Sequence, residues 1–149
     1  MRNGIIEGKR VRRNTPSDRN VEIDEMTFEN IKRYAGKTDE EISRRIKELD
    51  EELDIERILG LNMSTLAIAG FVLSGINRRW LILPAVVTGF FAQHAVQGWC
   101  PPLTLLRHLK IRTREEITQE KHALKAMRGD YKNINSPGEA FIAVRKVET

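Results

Sequence analysis

The sequence predicts an all-α membrane protein: a two-helix transmembrane hairpin flanked by amphipathic cytoplasmic helices. Three observations carry this expectation. The stretches from Ile58 to Ile76 and from Trp80 to Leu106 contain no Lys, Arg, Asp or Glu. Only Asn77, Arg78 and Arg79 stand between them. Every acidic residue and every other basic one lies outside this block. A soluble core instead spreads its apolar residues as stripes along amphipathic elements. The averages hide the pattern, since 31% of residues are charged and the length suits one domain.

Each span meets the length requirement. A hydrocarbon core of about 30 Å needs about 20 apolar helical residues. Residues 58–76 just reach this, and residues 80–99 meet it fully. Trp80 and Trp99 bracket the second span, where indoles favour the membrane interface. Pro84 falls in its first turns, where few donors are lost. Cys100-Pro101-Pro102 is expected to stop the helix, because neither proline has an N–H to give. The short connector makes the hairpin antiparallel, with both termini on one side. Arg44, Arg45, Lys47, Arg57, Arg107, Lys110, Arg112, Arg114 and Lys121 flank the outer ends, against Arg78 and Arg79 in the connector. The positive-inside rule then places both termini of a multi-pass membrane protein in the cytoplasm. No signal peptide is visible, so the first span is expected to act as its own insertion signal. The competing reading is a soluble oligomer with two buried core helices.

The flanks divide as follows. Residues 1–20 read as a flexible basic arm, in which Arg10, Arg12 and Arg13 either touch anionic lipid or stay solvated. Residues 21–57 read as a charged helical segment. A short helix is expected over Asp24 to Tyr34, ended by Gly36. Thr38 to Glu41 has capping-box spacing and opens a second helix. Its stripe of Ile42, Ile46, Leu49 and Leu53 is expected to lead through Asp54-Ile55-Glu56-Arg57 into the first span. Three placements suit that stripe: the membrane surface, a partner helix, or the helix after the second span. Residues 58–106 form the hairpin and its exit. Residues 107–131 read as an amphipathic helix opened at Thr113, with Ile117, Leu124, Met127 and Tyr131 on one face. The two amphipathic helices leave the membrane on the same side, so they are expected to pack together. Residues 132–149 read as a loose tail, with Phe141 to Val144 as a candidate short strand.

Polar residues within the spans form the candidate site. Asn62 and Thr65 of the first span share a depth with Gln93, His94 and Gln97 of the second, because the helices are antiparallel. Amides in hydrocarbon need partners, so this cluster is expected to pack helices within the hairpin or between copies. Gly70 with Ser74, and Ala85 with Gly89, offer small surfaces for close approach. An oligomeric pore lined by Gln93, His94 and Gln97 is the sharper alternative. His94 is expected to be neutral and bonded to Gln97 or Asn62, with a proton or metal role as the alternative. Cys100 is expected at the cytoplasmic interface as a packed, lipidated or reactive thiol. No metal-ligand spacing, phosphate loop or catalytic motif is present, so neither metal nor cofactor is expected. The net charge of +4 is interleaved with acidic residues. It suits anionic headgroups better than nucleic acid.

Across residues 54–111 the chain resembles the bacterial YgaP-like inner-membrane transmembrane domain, a domain of unknown function. The resemblance rests on Asp54-Ile55-Glu56-Arg57, Leu66-Ala67, Gly70, Trp80, Pro84, Gly89 and the exit Gly98-Trp99-Cys100-Pro101. It implies a two-helix hairpin, cytoplasmic termini and a helix-mediated homodimer. In the namesake protein such a hairpin anchors a rhodanese, a sulfur transferase. The N-terminal segment here is short and has no cysteine, so that activity is not carried over. The expected role is a non-enzymatic anchor or scaffold with the bilayer, a second copy and a cytoplasmic protein as partners. The alternatives are a subunit handling sulfur or thiols through Cys100, and the pore.

Overall fold

The computed structural model describes residues 7–132 and 134–145. Among these residues the chain is all-helical, with no strand. The elements are α1 (Glu7–Arg13), α2 (Ser17–Arg33), α3 (Asp39–Glu51), α4 (Ile55–Ser74), a 3-10 turn (Arg78–Leu81), α5 (Ile82–Gln97), α6 (Pro101–His108), α7 (Arg114–Arg128) and α8 (Pro137–Arg145). They fall into two compact units. The first comprises Met1–Glu22 and Leu53–Arg114, and the second Ile23–Glu52 and Glu115–Thr149.

The first unit is built on the hairpin of α4 and α5. Asp54 opens α4, its Oδ1 accepting from the Arg57 backbone N–H at 2.8 Å. The Ile55 N–H donates to the carbonyl of Arg112 at 3.1 Å. These bonds satisfy donors that a helix start leaves over. They also correct one expectation: α3 does not run into the span, but ends at Glu51, and Glu52 is extended (φ −59°, ψ 133°). At the tip, Asn77 Oδ1 accepts from the Arg79 N–H at 3.0 Å and starts the 3-10 turn. The helices cross closely at Gly70, where an added Cβ would lie 2.5 Å from Cδ of Pro84. Val11, Leu59, Met63, Val87, Cys100 and Leu103 belong to the buried core. Arg107 is also buried, donating to Asn20 Oδ1 at 2.8 Å and to the Ile111 carbonyl at 3.2 Å.

Two helices, ending at Ser74 and Gln97, are long and apolar enough to cross a membrane. Only 17% of the apolar window of each is buried, whereas a core helix of a soluble protein is mostly covered. Leu61, Ile68, Val72, Ile82 and Val96 all face outward.

In the second unit Ile42, Ile46 and Leu49 of α3 pack with Ile117 and Leu124 of α7, with Tyr34 alongside. The expected pairing of the two amphipathic helices is therefore present. Leu53 is exposed because α3 has already ended. The Thr38 capping box forms in both directions.

Several expected boundaries are corrected. The basic arm is helical from Glu7 to Arg13 and again from Ser17, so α2 begins seven residues before the expected Asp24. Its first six residues lie outside the described ones. The Pro-Pro pair does not stop the second span; it starts α6, with proline at N1 and N2. Those positions need no intrahelical N–H, so proline suits them. The helix after the span is accordingly two, α6 and α7, divided at residues 109–113. The tail contains α8, so Phe141 to Val144 is helical and not a strand. Ser136 Oγ accepts from the Glu139 N–H at 3.2 Å, and Glu139 Oε2 accepts from the Ser136 N–H at 3.0 Å. Residues 146–149 lie outside the described ones.

Candidate functional site

The most elaborate local structure lies where α5 ends. Gly98 adopts the left-handed conformation (φ +73°), and its N–H donates to the His94 carbonyl at 2.7 Å. α1 lies directly against this end. The Arg10 guanidinium donates to the Ala95 carbonyl at 2.7 Å. Asn14 Nδ2 donates to the carbonyls of Gln97, at 3.0 Å, and Arg10, at 2.9 Å. These contacts satisfy carbonyls that the last turn leaves without partners, and they put a cation at the negative end of the helix dipole. A Cβ on Gly98 would sit 2.6 Å from Arg10 Cβ and 2.8 Å from its backbone carbon. Glycine is thus required here by conformation and by space.

Beside this contact is a cleft of about 150 Å³, lined by Arg10, Glu56, Phe91, His94, Ala95 and Gly98. His94 is only 8% exposed. Its Nδ1 is buried without a hydrogen-bond partner among the described residues. Neither expected partner, Gln97 or Asn62, reaches it. Cys100 is fully buried among Val11, Ile55 and Leu103 in the core of the unit. Burial pushes its thiol above the ordinary range, opposed by a hydrogen bond from the Leu103 backbone. A thiol held protonated is a poor nucleophile.

The remaining members of the expected cluster do not assemble. Asn62 is exposed. Thr65 is also exposed, and its hydroxyl donates to the Leu61 carbonyl one turn back, at 2.8 Å. The Gln93 side-chain amide donates to Gln97 Oε1 along α5, at 3.5 Å. Equal depth put these residues at one level, but helical phase turns them to different faces.

The second unit holds a buried polar network that composition did not reveal. Glu120 is fully buried and accepts from Arg45 Nε at 3.0 Å and Asn30 Nδ2 at 3.4 Å. Lys121 Nζ bonds Asp50 Oδ1 at 2.5 Å and Oδ2 at 2.7 Å. Lys125 is fully buried and donates to the Val144 carbonyl at 3.0 Å, tying α8 to α7. Burial, then Lys121 close by, holds its amine below the usual lysine range. Arg128 bonds Ser43 and Asp130, and His122 Nδ1 pairs with the Tyr131 hydroxyl. A signal for part of this was readable: Glu120 falls three residues after Ile117 and four before Leu124, on the apolar face.

No group of three or more His, Cys, Asp or Glu side chains is placed to hold a metal ion among the described residues. No protein-family model, curated protein or solved structure matches the chain.

Proposed function

We infer that this chain is a small integral membrane protein of the bacterial inner membrane, a non-enzymatic anchor that holds a charged helical module at the cytoplasmic face. The observation that carries the reading is the outward surface of α4 and α5. Both helices are apolar around most of their girth, yet largely uncovered. In water, so large an apolar surface needs a partner; in lipid it needs none, because the helix backbone satisfies its own hydrogen bonds. The excess of basic residues at the outer ends over Arg78 and Arg79 in the connector supports cytoplasmic termini.

A second copy completes the account. Asn62 lies on an exposed part of α4, an unfavourable position for an amide in hydrocarbon. Gly89 adds an open surface on α5, since a Cβ there meets nothing within 4 Å. A homodimer through these faces supplies the amide with a partner. The membrane reading is tested by washing membranes with alkaline carbonate: the protein is expected to stay with the pellet, and release into the supernatant rejects it. The dimer is tested by disulfide crosslinking of Gly89→Cys in membranes, where absence of a crosslinked product rejects that face.

A further inference from the structure

We propose that the tip of the hairpin, through Arg78 and Arg79, holds the phosphates of two anionic phospholipids in the leaflet it reaches. The proposal rests on the hairpin reading above, which brings the connector to headgroup level. Four observations carry it. First, both arginines are exposed, and neither side chain has a hydrogen bond or ion pair among the described residues. Second, the chain supplies no carboxylate nearby. No Asp or Glu occurs from Arg57 to Arg114. Glu56, in the same unit, lies in the first turn of α4, at the far end from the connector. The 20 residues of α4, at about 1.5 Å each, put roughly 30 Å between its two ends. That far exceeds the Debye length of about 8 Å at physiological salt. Two positive charges are thus left for a partner outside this unit.

Third, the neighbouring residues are apolar and uncovered. Ile76, Trp80, Leu81 and Ile82 are all exposed. An indole favours the membrane interface, and the isoleucines and leucine suit hydrocarbon. Charges set in an apolar collar match the boundary between phosphates and acyl chains, whereas a soluble anion would leave the collar in water. The guanidinium fork suits phosphate oxygens. A headgroup of net negative charge meets it unopposed, while choline sets a second cation beside it. Fourth, the 3-10 turn over Arg78–Leu81, started by the Asn77 side chain, fixes the number of lipids. At about three residues per turn, successive side chains point roughly 120° apart. The two guanidiniums therefore diverge, and each takes a phosphate of its own.

The test uses Trp80 as a reporter beside Arg79. Trp99→Phe leaves it the sole tryptophan of the chain. This full-length protein is reconstituted in vesicles of phosphatidylcholine and phosphatidylglycerol, with bromine on the acyl chains of one lipid or the other, and quenching of Trp80 is read. Phosphatidylglycerol is expected to occupy the positions beside Trp80 about fivefold more readily than phosphatidylcholine, the increment of one basic residue at an anionic surface. Arg78→Gln and Arg79→Gln are each expected to remove about half of this preference, as independent sites do, and the double variant all of it. Arg57→Gln, at the opposite end of α4, is expected to keep it. Equal quenching by the two lipids overturns the tip site and leaves the hairpin standing. Quenching by neither lipid overturns the hairpin itself. Loss of the whole preference in one single variant overturns the two-lipid geometry. Loss of the preference on adding excess inorganic phosphate, at constant ionic strength, overturns the lipid assignment in favour of a soluble anion.

Discussion

Replacing Gly98 by alanine is expected to detach α1 from the end of α5. Two costs add. Alanine in the left-handed region is disfavoured by about 1 kcal/mol, and Gly98 has a φ of +73°. The new Cβ would also lie 2.8 Å from the backbone carbon of Arg10. Backbone yields less readily than the tip of a flexible side chain, so α1 must move away. That movement gives up the bonds from Arg10 to Ala95 and from Asn14 to Gln97, each worth about 1 kcal/mol. The total is about 3 kcal/mol, a large effect for one added methyl group. Thermal melting in detergent, followed by circular dichroism, should show lowered stability. Trypsin should cut after Arg12 or Arg13 sooner than in the parent chain. Gly60→Ala, within α4, is the control: its Cβ meets nothing, and helix propensity favours alanine by up to about 1 kcal/mol. A Gly98→Ala protein that melts like the parent, with unchanged cleavage, refutes the docking of α1.

Other consequences follow from the same contacts. Gly70→Ala drives a Cβ to 2.5 Å from the Pro84 ring, which cannot rotate away. The hairpin should loosen by about 1–3 kcal/mol, visible as a lower melting temperature in detergent. Cys100 is fully buried and its thiol is raised by burial. Maleimide at neutral pH should therefore leave it unlabelled until the protein is denatured. His122 is held below the ordinary imidazole value of 6.5 by burial, then by Lys125 and Lys121. As pH falls below about 6.5 the unfolded chain takes up a proton that folded His122 refuses, so stability declines until the lower folded value is passed. Melting between about pH 7.5 and 5.5 should show that decline, and His122→Asn should flatten it.

The sequence made legible whatever a single helix decides for itself. Two long runs without Lys, Arg, Asp or Glu announced α4 and α5. The periodic Ile42, Ile46 and Leu49 announced the face of α3, and Thr38 with Glu41 announced its start. What escaped depends on contacts distant in sequence or on signals passed over. Val11 of α1 belongs to the core, and the helix's partners Ala95 and Gln97 lie more than eighty positions away. Depth alone predicts the polar cluster, but helical phase separates its members: Asn62 is exposed and His94 buried. The exit at Gly98-Trp99-Cys100-Pro101 suggests a proline stop. The backbone of Gly98 performs the stop, and the prolines begin α6. The Ser136-to-Glu139 capping box around Pro137 was present in the sequence and marks the start of α8.

The hairpin's orientation in the bilayer is tested most directly by labelling single cysteines in intact cells with a membrane-impermeant maleimide, in a Cys100→Ala background. Asn77→Cys, in the connector, is predicted to label before lysis, and Lys132→Cys only after it. Labelling of both positions only after lysis, with the protein in the soluble fraction, would contradict the account.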